Sequence, residues 1–281
     1  MLRRSIDVGD VTLAVLEGGV GGHPLLLVHG FTGLKEDFAD EIEPLAALGY
    51  HVVAPDLRGH GESSKPTDEA AYSYPIFVAD LWALATALGW DRFDLLGHSM
   101  GGMVAQLMVL EDLDRISRLV LMDTHHSFVS TLTPELVEVG VDLARTQGLD
   151  VIVELLKMFE DVDDGSPYQR LCRERAGYRE WSESKTRTTS PAMYAAILPT
   201  FINGVDRLEQ LREIDCPTLV MVGEHDEAFV GGSKRMAEVI PNAQLAVLAD
   251  GGHCPQFEAT GEWRAALYGF LAEASAHESV A

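Results

Sequence analysis

The sequence is poor in cysteine and in positive charge, and it lacks any long apolar run. Its three cysteines, Cys172, Cys216 and Cys254, are odd in number, and their spacing fits neither a disulfide framework nor a metal site. Reduced thiols and a cytoplasmic setting follow. Lys and Arg together number 21 against 44 Asp and Glu, a net charge of −23 over 281 residues. So negative a chain repels phosphate backbones and anionic lipid, which argues against a nucleic-acid partner. No stretch approaches the roughly 20 apolar residues that cross a bilayer. The N-terminus opens with Arg3 and Arg4, but Asp7, Gly9 and Asp10 interrupt the apolar region that a secretory signal needs.

What is present suits a soluble globular protein. Hydrophobic residues make up 47% and charged residues 23%, enough for a sizeable core. The length suits one α/β domain carrying an insertion. Val11–Leu16, Leu25–Val28, His51–Ala54, Phe93–Leu96 and Arg118–Asp123 read as strands. Helical patterns separate the later strands: Phe38, Ile42 and Leu45 form one stripe, with Pro44 expected to kink or divide the helix. Val78, Leu81, Trp82, Ala85 and Leu88 form another, and a third helix runs from Ser99 to about Glu111. From Thr124 to about Arg212 only helical patterns appear. Leu136, Val139, Leu143 and Gln147 share one face there, and Ile152, Leu155, Leu156 and Phe159 another. Strands resume at Pro217–Gly223 and Gln244–Leu248, and a last helix carries Trp263, Leu267, Phe270 and Leu271. Such alternation predicts a mostly parallel sheet flanked by helices. The expected division is a core of 1–123 and 213–281, with 124–212 as an inserted helical lid.

Three separated residues could form one catalytic unit. Gly97-His98-Ser99-Met100-Gly101 has the spacing of a strand-to-helix turn that pushes a serine hydroxyl outward. The plainer reading of Ser99 is a helix N-cap. A serine hydroxyl needs a base, and the base an orienting carboxylate. In parallel sheets such groups gather at the carboxyl ends of strands. His253 follows one such strand, in Gly251-Gly252-His253, and Asp226 follows another, in Glu224-His225-Asp226. Asp123 and Glu224 compete for the acid. Among the ten histidines, His98 should diverge from the serine, His29 should shape its loop and His225 should flank Asp226. His125 and His126 fall at the lid entrance, where they could touch substrate. Backbone N–H groups of Met100 and of Phe31, in His29-Gly30-Phe31-Thr32-Gly33, are the expected oxyanion donors.

These stretches, with Asp56-Leu57-Arg58-Gly59-His60-Gly61-Glu62-Ser63, resemble the α/β-hydrolase superfamily over nearly the whole chain. The Asp56–Ser63 stretch resembles a structural loop of that family and is assigned no chemistry. The lid-bearing esterase, enol-lactonase, non-haem haloperoxidase-like and carbon–carbon-bond hydrolase branches are all similar. Haloalkane dehalogenases and epoxide hydrolases carry aspartate where Ser99 stands, which argues against those activities. The resemblance implies two-step acyl transfer on a small ester or lactone: Ser99 as nucleophile, His253 as base, Asp226 as its partner. No metal or organic cofactor is required, and no dinucleotide fingerprint is present. The alternatives are cleavage of a carbon–carbon bond in a ring-cleavage product and a non-catalytic ligand receptor. For the former, a lid arginine (Arg145, Arg170, Arg173, Arg175, Arg179, Arg187 or Arg207) could grip a substrate carboxylate. Phe128, Phe159, Tyr178, Trp181, Tyr194 and Phe201 are candidate lid residues for the pocket. Oligomeric state stays open between monomer and homo-oligomer.

Overall fold

A computed structural model describes residues 1–127, 132–160 and 165–278. Eight strands form one sheet in the order β1-β2-β4-β3-β5-β6-β7-β8. β1 (Leu2–Asp7) and β2 (Thr12–Gly18) are antiparallel to each other, and β2 is antiparallel to β4 (Tyr50–Pro55). The remaining neighbours are parallel: β3 (His23–Val28), β5 (Phe93–His98), β6 (Ile116–Met122), β7 (Thr218–Gly223) and β8 (Ala243–Leu248). β4, β5 and β7 are buried at every residue, which is why they read as continuous apolar runs. β1 gave no such signal. It is an edge strand of sequence LRRSID with only Ile6 buried.

The connecting helices are α1 (Ala39–Ala47), α2 (Tyr74–Ala87) and α3 (Met100–Glu111). Between β6 and β7 come α4 (Pro134–Gln147), α5 (Leu149–Glu160), α6 (Pro167–Glu174), α7 (Tyr178–Arg187) and α8 (Pro191–Ile197). α9 (Glu227–Val239), α10 (Pro255–Glu258) and α11 (Thr260–Glu278) complete the chain. Two apolar clusters sandwich the sheet. One includes Phe77, Leu81, Val104, Met108 and Met236 from α2, α3 and α9. The other includes Phe38, Ile42 and Leu45 beside α1, and Trp263, Leu267 and Phe270 from α11. Each fully buried Leu or Phe stabilises the fold by roughly 1.5–3 kcal/mol relative to exposure. No described helix is long and apolar enough to cross a membrane.

Pro44 does not divide its helix, and two expected helical stripes need correction. Pro44 lies inside α1, and the division comes earlier, where a 3-10 turn at Lys35–Phe38 meets Ala39. In α4 the buried stripe is Val137, Val141 and Ala144, while Leu136 and Val139 are 59% and 54% exposed. In α5, Ile152 and Val153 are buried, but Leu155 and Leu156 are exposed, and the Phe159 side chain lies outside the described residues. Both helices carry apolar residues on more than one face, so periodicity alone chose the wrong phase.

Candidate active site

β5 ends at His98, and α3 begins at Met100, so Ser99 must turn the chain alone. It does so at φ 54, ψ −117, in the left-handed region. The turn is held from several sides. Ser99 N–H donates to the Met122 carbonyl at 2.9 Å, while its own carbonyl accepts Thr124 Oγ1–H at 2.7 Å and Gly102 N–H at 3.0 Å. Glycine is required at 97 and 101 because β5, α3 and β3 touch here. An added Cβ would stand 2.4 Å from the Gly101 carbonyl oxygen or 2.5 Å from those of Val28 and His29.

The structure brings Ser99, His253 and Asp226 together. Ser99 Oγ lies 3.0 Å from His253 Nε2, and His253 Nδ1 lies 2.7 Å from Asp226 Oδ2. Asp226 is buried where β7 gives way to α9, its carbonyl accepting Phe229 N–H and Val230 N–H. His253 is partly exposed, on the loop after β8. Its flanking peptides are clamped by Glu258, whose Oε2 accepts Gly252 N–H at 2.8 Å and Cys254 N–H at 3.1 Å. Its carbonyl accepts His98 Nε2–H at 2.7 Å. The Phe229 ring stands 4.7 Å from the imidazole.

Of the competing acids, Glu224 is exposed. Asp123 is wholly buried at φ 44, its Oδ1 accepting Gly223 N–H at 2.8 Å and its Oδ2 without a hydrogen-bond partner among the described residues. Burial first, then the charge of Asp226, hold the Asp123 carboxyl well above the usual carboxylate range. One ligand atom each of Asp123, Asp226 and His253 lies within 4.8 Å of the others, the kind of cluster that could hold a cation. Two of its members are already joined by the Asp226–His253 hydrogen bond.

Phe31 and Met100 flank the serine. An added Cβ on Gly30 would meet Ser99 Cβ at 3.1 Å, so the His29–Gly33 loop passes directly beside the turn. Neither Phe31 N–H nor Met100 N–H has an acceptor among the described residues. Phe31 is fixed through the peptide that follows it, where His60 Nε2–H donates to the Phe31 carbonyl at 2.6 Å. The Asp56–Ser63 loop therefore supports the site, a role that its sequence did not disclose. His29 shapes its loop as expected, with Nδ1 2.8 Å from the Gly30 carbonyl and Nε2 accepting Leu57 N–H.

A cavity of about 290 Å³ opens over Ser99 and His253. Phe31, Phe229 and Leu132 line it, and of the expected lid aromatics among the described residues Phe201 alone does so. Tyr178 and Trp181 pack instead against each other and Phe257, and Tyr194 stacks behind Phe31 at 4.8 Å. Phe128 lies outside the described residues. His125 and His126 are not in the wall. They stack on each other at 4.5 Å beside Arg235 of α9. None of the lid arginines lines the cavity; Arg145, for example, pairs with Glu69. The cation in the wall is Lys185 of α7, beside Asp37 and Cys254, three residues that motif reading passed over.

A sheet with one antiparallel edge, a serine turn after β5 and a histidine loop after β8 define a hydrolase class. The chain matches the alpha/beta hydrolase fold family over residues 23–260 and belongs to it. It is 31% identical over 259 residues to Lipase 3 of Moraxella sp. (strain TA144), covering 89% of this chain and 78% of that protein. A fluoroacetate dehalogenase of Burkholderia sp. is 42% identical over 130 residues, which span 45% of this chain and 42% of that protein. Among solved structures, the enol-lactonase from Burkholderia xenovorans LB400 shares the fold, with a TM-score of 0.83 at 21% identity, covering 96% of this chain and all of the other.

Proposed function

We propose that this protein is a serine hydrolase that cleaves a carboxylic ester or lactone through an acyl-enzyme, without a cofactor. The carrying observation is the chain of hydrogen bonds Ser99–His253–Asp226, at 3.0 and 2.7 Å, opening on a cavity. Ser99 Oγ attacks the substrate carbonyl as His253 Nε2 takes its proton. Asp226 holds the imidazole by Nδ1–H and stabilises its cation. The free N–H groups of Phe31 and Met100 receive the oxyanion. His253 then protonates the leaving alcohol or enol, and a water activated by the same ring releases the acid. Residues 124–212 serve as the lid over a core of 1–123 and 213–281. Leu132, Lys185 and Phe201 in the cavity wall support that division.

The similarity to a lipase favours an oxygen ester over a carbon–halogen bond. The dehalogenase match covers less than half of either chain. Purified protein assayed on short p-nitrophenyl esters and simple lactones tests the reading. Ser99→Ala should lower kcat by at least about 10³-fold while the protein stays folded. Equal rates in the two proteins would remove Ser99 from the chemistry. A coloured dienoic ring-fission product run beside the esters separates carbon–carbon cleavage, which would bleach it rapidly. Tight saturable binding without turnover would mark a receptor.

A further inference from the structure

A buried cation stands in the wall of the Ser99 cavity, and the acyl-transfer scheme has no use for it. Lys185 is buried, and its ammonium lies 2.9 Å from Asp37 Oδ1 and 4.6 Å from the centre of the Trp181 ring. An ammonium has three donors. The Lys185 ammonium makes one hydrogen bond among the described residues, to Asp37. The other deeply buried lysine, Lys35, shows what full coordination looks like here. Its Nζ lies 2.7 Å from Asp56, 2.8 Å from Glu62 and 3.2 Å from Glu36, away from the cavity. Asp37 is itself held on both oxygens, Oδ1 by Lys185 and Oδ2 by Leu34 N–H at 3.2 Å. Lys185 therefore keeps unused donor capacity, on a positive group, at this wall.

The space around Lys185 is also extended. A second cavity of about 200 Å³ lies beyond it, and Thr32, Lys185 and Cys254 belong to both walls. A substrate chain running from Ser99 into this second cavity would pass the ammonium. Burial lowers the Lys185 pKa, but Asp37 and the neighbouring Cys254 outweigh it and leave it raised, so the group stays charged. A buried ammonium with one carboxylate partner gains most from a second acceptor of negative charge.

We infer that Lys185 is a specificity residue that receives a carboxylate at the far end of the substrate, so that favoured substrates are half-esters of dicarboxylic acids or lactones bearing a carboxylate. This rests on the serine-hydrolase reading above. The test compares kcat/KM for mono-p-nitrophenyl esters of malonic to adipic acid with neutral p-nitrophenyl esters of matched length. The wild type should favour the anionic series at least tenfold at one chain length. The ratio of anionic to neutral should fall at least tenfold in Lys185→Met. Should that variant not fold with Asp37 left unpaired, Lys185→Met/Asp37→Leu takes its place. No anionic preference in the wild type, or a ratio that survives the substitution, overturns the inference. Calorimetry of monomethyl glutarate against dimethyl glutarate, on the Ser99→Ala protein, needs no turnover. Monomethyl glutarate binding at least tenfold tighter, a preference lost in Ser99→Ala/Lys185→Met, supports the Lys185 subsite even if every ester assay fails, and equal binding removes it even if esters are cleaved.

Discussion

At the level of single residues, the acid partner of His253 is the sharpest question, because two buried carboxyls approach it. Asp226 makes the 2.7 Å bond to Nδ1, whereas Asp123 spends Oδ1 on Gly223 N–H. Asp226→Asn should lower kcat by about 10³–10⁴-fold through loss of the ring's orientation and charge partner. Asp123 has a different signature. Its carboxyl is held well above the usual range, so the native state keeps a proton that the unfolded chain loses above about pH 4. Folded protein then binds more protons than unfolded, and stability falls as pH rises from there towards the native pKa. Asp123→Asn cannot titrate. Urea unfolding should find its stability relative to wild type greater at pH 7.5 than at pH 4.5, and a constant difference would contradict a protonated Asp123. Ser99 and Asp226 were legible because each follows a buried strand, and His253 because it lies on a glycine-marked loop after β8, a strand that is itself largely exposed. Lys185 was not, since it sits on a charged helix among many cations, and only tertiary packing turns it towards the serine. Glu258 and His60 were equally hidden, because they act by bonding backbone that local sequence does not bring near.

At the level of elements, the strands were readable where burial on both faces left a run of apolar residues, as at Val52–Ala54 in β4 and Leu95–Leu96 in β5. The edge strand β1, exposed at five of its six residues, was not. Lid helices α4 and α5 were readable as helices but not in phase, because valine and leucine occupy several faces and the neighbours decide which is buried. The tightest element junction is the β5–Ser99–α3 turn, and it makes a contrast that can be measured. Gly101→Ala would press a Cβ to 2.5 Å from two main-chain oxygens of β3 and its following loop, which cannot yield as a side chain could. A cost of about 1–3 kcal/mol follows, and a fall of several degrees in Tm. Gly269→Ala lies within α11, where an added Cβ meets nothing within 4 Å. Alanine there should raise stability by up to about 1 kcal/mol through helix propensity. Thermal melts of the two variants should move in opposite directions, and a loss of equal size in both would deny the close approach at the turn.

At the level of the whole molecule, 44 acidic side chains against 21 basic ones set a balance that no single contact controls. Many of the cations are committed to carboxylates that tie distant segments. Arg264 reaches Glu41 at 2.7 Å, Arg58 grips Asp80 at 2.6 Å, and Arg145 holds Glu69 at 2.7 Å. The remaining excess is negative and repels itself in the compact state more than in the expanded chain. Salt acts on both terms. It weakens exposed ion pairs, each worth about 0–1 kcal/mol, and it screens the repulsion of the whole excess over about 10 Å at 0.1 M. Buried pairs such as Arg58–Asp80 are little affected, so the repulsive term should dominate. Tm should therefore rise as sodium chloride is raised from 10 mM to 0.5 M at pH 7.5. The rise should shrink near pH 5, where protonation of carboxylates removes part of the excess. A Tm that falls with salt at pH 7.5 would show instead that exposed ion pairs outweigh the net charge.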